Sequence, residues 1–180
     1  MGMEHALLKN ACDGLKAYYS GATECEKIII RRAGWSAVAG ALSGWIPGAG
    51  GTVAWAAGTG IVISMYISIN KRLGIKLSES FLKGFLASLV AEAGANIGVA
   101  IAEGVISLIP VAGSVISAAM ALAAQFAFTY IAGYIYIQFL VKALKAKVDI
   151  NNLSKEEMEQ FVKKTVDETD FNKLKEEAKK

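Results

Sequence analysis

The chain has one histidine, two cysteines and two prolines in 180 residues, and each scarcity excludes something. A lone imidazole, His5, in what reads as a flexible start, rules out a histidine-built metal site. Cys12 and Cys25, scattered among lysines and glutamates, make neither a disulfide framework nor a zinc site, and read as free thiols of a reducing compartment. There is no G-x-x-x-x-G-K-[ST] loop. The one glycine-rich run, Gly48-Ala49-Gly50-Gly51, follows a helix and a proline rather than a strand, so it is weak as a phosphate cradle. The first 16 residues carry Glu4, Lys9, Asp13 and Lys16 where a secretion signal needs an apolar run. Ala6 stands where a myristoylation signal wants Ser or Thr. The net charge is only +3, with no basic stripe interleaved with aromatics, which argues against nucleic acid. No catalytic constellation, cofactor site or metal site is expected, and the chain does not read as an enzyme.

Charge is also scarce in the middle. Of 19 basic and 16 acidic residues, only seven lie between positions 33 and 141: Lys71, Arg72, Lys76, Glu79, Lys83, Glu92 and Glu103. What is there instead is apolar. Hydrophobic residues make up 54% of the chain and the mean hydropathy is +0.41, above the roughly 45–50% apolar content of ordinary globular domains. Two uncharged windows, Ala33–Asn70 and Gly104–Val141, are each 38 residues long. Each holds one proline, in Ile46-Pro47-Gly48-Ala49-Gly50 and Ile109-Pro110-Val111-Ala112-Gly113. Proline cannot continue a helix and the glycines permit reversal, so each window reads as helix, turn, helix. The two turns match at an offset of 63 residues. That match reads either as an internal duplication or as one turn solution reached twice.

The expected fold is therefore all-α: two tandem hydrophobic hairpins (helix–IPxAG–helix) with amphipathic N- and C-terminal helices. The segments are an N-terminal amphipathic part (1–32), a double-hairpin membrane domain (33–147) and a soluble C-terminal helix (148–180). In the first, Ala6, Leu7, Ala11, Leu15 and Tyr18 recur at helical spacing, and Thr23 with Glu26 reads as a capping box for the next helix. Ser78 reads as the cap of a helix running to Leu108. Ser154 with Glu157 opens the tail helix, whose apolar stripe is Met158, Phe161, Val162 and Val166, with a break near Thr169-Asp170.

A spanning helix needs about 20 apolar residues. Gly51–Asn70 and Val111–Val141 meet this. Ala33–Ile46 does so only if Arg31 and Arg32 snorkel, and the helix with Lys83, Glu92 and Glu103 is the least membrane-like. Arg31, Arg32, Lys71, Arg72, Lys142 and Lys145 all fall at the open ends of the hairpins. Positive flanks favour the cytoplasmic side, so both termini are expected there, with both turns in or across the bilayer. Small-residue pairs (Gly40 and Gly44; Gly94 and Gly98, extended by Ala102; Ala54 and Gly58; Ala56 and Gly60) suit close helix packing in lipid. Trp35, Trp45, Trp55, Tyr66, Tyr130, Tyr134 and Tyr136 are candidate interfacial anchors. Glu92, Asn96 and Glu103 share one helix face, and Gln125 and Thr129 could meet them. That set reads either as a polar path or lumen, or as the wet face of an amphipathic helix. A soluble fold with the hairpins fully buried is the competing reading of the whole pattern.

Residues 46–141 resemble a bacterial family of helical membrane domains of unknown function, domain-of-unknown-function family 697, often fused to or encoded beside GTPases. The resemblance lies in Met65-Tyr66, in Arg72-Leu73-Gly74-Ile75-Lys76-Leu77-Ser78, in Ile109-Pro110-Val111-Ala112-Gly113 and in Thr129-Tyr130-Ile131-Ala132-Gly133. Leu73 replaces the aromatic usual before Gly74, and this chain has no GTPase domain. The resemblance implies membrane association, with a bacterial inner membrane as the location, and a separate GTPase as partner; it implies no chemistry. The leading expectation is a membrane-embedded, self-assembling helical scaffold, with membrane remodelling as a role open to it, whose partners are the lipid bilayer and further copies of itself. The alternatives are a pore-forming or toxin-like protein that switches from soluble to inserted, and a soluble helical partner of a GTPase docking through its tail.

Overall fold

The computed structural model describes the backbone of residues 5–43, 50–106 and 115–178, and the side chains of 5–39, 58–93, 122–174 and 176–178. Among these residues every regular element is helical. The order is α1 (Ala6–Lys16), α2 (Cys25–Ser43), α3 (Gly50–Leu73), α4 (Glu79–Ile106), α5 (Val115–Lys145), α6 (Lys155–Asp167) and α7 (Phe171–Ala178), with 3-10 turns at Ser20–Glu24 and Ile150–Asn152. Both IPxAG turns, with Ile46, Pro47, Ile109, Pro110 and Gly113, lie outside the described residues. Gly50 is the first residue of α3.

The helix ends follow local chemistry. The Ser154 hydroxyl accepts the Glu157 N–H while the Glu157 carboxylate accepts the Ser154 N–H, the expected capping box. Ser78 accepts the Phe81 N–H at 3.2 Å and so starts α4. Thr23 does not begin α2 as expected; it sits inside the 3-10 turn that leads directly to Cys25. The tail breaks between Asp167 and Phe171, as the sequence suggests.

The central element is α5, which touches all six other helices. Gly133 lies against Ile29, and Gln125 against Ser36, so α2 runs antiparallel to α5. Tyr66 donates to the Ala132 carbonyl and Tyr136 to the Asn70 side chain, so α3 runs parallel to α5. At its base Gly21 meets the Arg72 carbonyl, a backbone contact that no Cβ would fit. One hydrophobic core runs from Leu8 to Leu174 through all seven helices. An aromatic cluster lies within it: Tyr66 and Tyr136 stack at 4.2 Å, and Phe85 stands edge-on to both. Such pairs each add about 0.5–1.5 kcal/mol beyond their burial.

That cluster overturns one expectation. Tyr66, Tyr130 and Tyr136 are fully buried, with their hydroxyls bonded inside the protein, so they are core residues rather than interfacial anchors. His5 is likewise not loose: it is 4% exposed and its ring sits 5.2 Å from that of Tyr130. The tail helices pack on the same core through Met158, Val162, Val166 and Leu174.

Candidate membrane-facing surface

Along the four long helices the exposed positions change character from one end to the other. On α2, Lys27 and Arg31 are exposed first, then Trp35 at 55% and Val38 at 57%. On α3, read back from its C-terminus, Arg72 and Lys71 give way to Ile67 at 42%, then Gly60 and Thr59. On α4, Glu79 and Lys83 give way to Ala87, Val90 and Ala91, and the exposed Glu92 follows them. On α5 the exposed Lys145 is followed, toward the N-terminus, by a long buried stretch and then by exposed Leu122. Ser36 beside Gln125 sets α2 against α5, and Thr59, Val90 and Phe128 line one shallow groove together with Lys83. The charged end is the one at which α6 and the chain's polar segments pack, with Lys142 bonded to Glu168 at 2.5 Å.

Trp35 marks the boundary. The guanidinium of Arg32 lies 5.0 Å from its ring centroid and that of Arg31 6.0 Å, a cation–π arrangement. Arg32 also donates to Ser68 on α3 at 3.2 Å, while its Nε is buried without a partner. Below Trp35, Glu24, Lys27, Arg31, Ser68, Lys71 and Arg72 surround an open groove of about 930 Å³ between α2 and α3. The sequence marks Arg31, Arg32, Lys71 and Arg72 as flanking residues. It gives no sign that Lys27 joins them, because that follows from the helix packing.

The polar set is dispersed where it is described. Glu92 is exposed on α4. Gln125 is half-buried between α2 and α3, its amide oxygen accepting from Ser36 at 3.2 Å and its side chain filling the space a Cβ at Gly58 would need. Thr129 is fully buried and its hydroxyl has no hydrogen-bond partner among the described residues. Asn96 and Glu103 lie in α4, and with Gly94, Gly98 and Ala102 their surroundings fall outside the described residues, as do those of Gly40, Gly44, Trp45 and Trp55. Of the small-residue pairs, Gly58 makes a close contact and Gly60 faces open space. A packing glycine missed in the sequence is Gly133: a Cβ there would come within 2.7 Å of Ile29.

Titratable groups show no poised nucleophile. Burial pushes the Cys25 thiol up to about 11, and Cys12 is raised further by burial and by Cys25 beside it. Both stay protonated at neutral pH, where the thiolate is the reactive form. Among the described residues no group of acidic, histidine and cysteine side chains could hold a metal ion.

One stretch of 24 residues among the described residues, Leu122–Lys145, is long and apolar enough to cross a membrane, with mean hydropathy 1.3 over an 18-residue window that is 72% buried inside the bundle. A core helix of a water-soluble bundle passes the same test. No family model, no curated protein and no solved structure matches the chain.

Proposed function

We propose that the chain is a membrane-embedded helical scaffold whose charged end stays in water while the apolar ends of two tandem hairpins enter the bilayer. The observation that supports it is the change from charged to apolar exposed positions along α2, α3 and α5, which α4 follows as far as Ala91 before the exposed Glu92. Exposed apolar side chains gathered toward one end of a bundle suit a surface that meets lipid or another protein. Trp35, capped by two arginines, sits where an interfacial tryptophan belongs. The segments beyond this level, 40–57 and 94–121, contain Glu103 as their only charge, so the same trend continues in the sequence through both IPxAG turns.

The proposal extends to self-assembly. Hairpin ends with Gly40, Gly44, Gly94, Gly98 and Ala102 at four-residue spacings suit close helix contacts between copies, where apolar burial in lipid gives little drive of its own. The termini are cytoplasmic in this reading, since Arg31, Arg32, Lys71, Arg72, Lys142 and Lys145 all belong to the charged end. A docking role for the tail alone is less favoured. Its apolar stripe is used up on the core, so deleting 151–180 would uncover Phe139, which packs on Phe161, rather than free a binding element.

Alkaline carbonate extraction of native membranes tests the proposal. The protein is expected in the pellet, and in mild detergent it is expected to size larger than one copy. Recovery in the carbonate supernatant overturns the membrane reading. A monomer in detergent overturns self-assembly alone.

A further inference from the structure

We propose that the groove between α2 and α3 binds the phosphate of an anionic lipid headgroup. The inference rests on the membrane reading above and adds a ligand to it. Four cations, Lys27, Arg31, Lys71 and Arg72, surround this groove, and its one carboxylate, Glu24, is engaged by Lys27 at 3.6 Å. Arg31, Lys71 and Arg72 have no ion pair among the described residues. Three uncompensated cations held on two packed helices repel one another, and a bound anion relieves that repulsion.

The fixed position of the groove follows from one backbone contact and one side-chain hydrogen bond. Gly21 locks the 3-10 turn onto the end of α3 at the Arg72 carbonyl, and Arg32 ties α2 to Ser68. The side chains that converge there are therefore held by helices rather than by loops. The Ser68 hydroxyl donates to the Ser64 carbonyl at 2.7 Å and accepts from Arg32, so it is already committed and the cations supply the free donors. Ile28 adds an apolar patch to the lining.

The choice of a lipid phosphate over a soluble one comes from what lies next to the groove. Arg31 lines it and also reaches the exposed Trp35, with Val38 one turn further on. Basic side chains beside an interfacial tryptophan stand at the depth of lipid phosphates. A site for a soluble phosphate has no need of an exposed apolar surface one side chain away.

Flotation of the full chain with vesicles of phosphatidylcholine alone, and of phosphatidylcholine mixed with phosphatidylglycerol, tests this. Each Lys or Arg near an anionic surface contributes roughly fivefold in partitioning. The expected result is binding to both vesicles, with a preference for the anionic ones. The variant Arg31→Gln/Lys71→Gln/Arg72→Gln is expected to lose on the order of a hundredfold of that preference, while Lys9→Gln/Lys155→Gln/Lys163→Gln, outside the groove, keeps it. All six positions are exposed, so helix content by circular dichroism is expected to match for both variants.

Equal partitioning of the native chain onto both vesicles overturns the inference and leaves the membrane reading standing. Equal loss in the two variants also overturns it, because bulk charge and not the groove is then responsible. Groove-dependent binding to anionic vesicles with none to phosphatidylcholine keeps the headgroup site and sinks hairpin insertion. Calorimetric titration with glycerol 3-phosphate separates the two sources: saturable binding of it without any vesicle preference assigns the groove to a soluble phosphate and overturns the lipid.

Discussion

Glu177 is 7% exposed and accepts two hydrogen bonds, from the Leu7 N–H at 2.7 Å and from the Tyr130 hydroxyl at 3.1 Å. It thereby joins α7, α1 and α5 through one carboxylate, with no ion pair among the described residues. Removing it strands one buried and one part-buried donor, and a stranded buried donor costs about 1–3 kcal/mol. Glu177→Ala is therefore expected to lower the thermal midpoint, read by circular dichroism, by several degrees. In a double-mutant cycle with Tyr130→Phe the two effects are expected to fall short of additivity by about 0.5–3 kcal/mol; strict additivity would show that the pair does not act together. None of this was legible in the sequence. Glu177 stands in a lysine- and glutamate-rich tail where every acid looks solvated, and His5 looked loose for the same reason. Pairing across 170 residues leaves no local pattern. The capping residues Ser78 and Ser154 were legible because their partners lie three positions away.

Helix ends carry the next scale. α3 and α5 close in the same way: Ile75 donates to the Asn70 carbonyl at 2.9 Å past Gly74 at φ 71°, and Val148 donates to Ala143 at 3.0 Å past Lys147 at φ 57°. This is the six-residue closing bond of a helix that ends in a left-handed residue. Glycine takes that conformation freely, whereas an L side chain costs about 1–2 kcal/mol. Gly74→Ala is expected to destabilise by about that amount and Lys147→Gly to stabilise by up to about the same, measured as opposite shifts of the unfolding midpoint. Equal shifts of one sign would rule out backbone strain as the cause. Further along, α6 is tied to α5 by Lys142 and Glu168. The ammonium beside Glu168 holds its carboxyl below the ordinary 4.5. A depressed carboxylate stabilises the fold above its unfolded pKa, and that contribution disappears as pH falls through the depressed value. In Lys142→Gln the Glu168 carboxyl, followed by NMR titration, is expected to move back up toward 4.5, and an unchanged value would remove Lys142 as the cause. The helices themselves, and their order, follow from apolar periodicity, two prolines and the caps. Their partners did not. That α2 lies more extensively on α5 than on α3 depends on Gly133 admitting Ile29, a shape match with no sequence period.

At the scale of the molecule, the charge map of the chain reappears as a map of its surface. The sequence shows where charges stop, at Arg32, Lys71 and Lys142. It does not say whether the uncharged stretches face inward or outward, because Tyr136 and Trp35 look alike in composition. The fold separates them: Tyr136 is enclosed by Tyr66, Phe85 and Phe139, while Trp35 stands 55% exposed at the level where α2 turns apolar. Membrane insertion then makes a specific demand on Trp35, which a buried-hairpin fold does not make. With Trp45→Phe and Trp55→Phe leaving Trp35 as the sole tryptophan, emission from the purified chain is expected to shift to the blue on adding vesicles. Lipids brominated near the headgroup are expected to quench it more than lipids brominated near the chain terminus, because an indole flanked by Arg31 and Arg32 settles at the interface. Deeper quenching would move the charged end into the bilayer, against the cost of burying two guanidinium groups. An unchanged spectrum would leave Trp35 in water or against protein, and the apolar ends of the bundle would then have to be covered by another polypeptide instead of lipid.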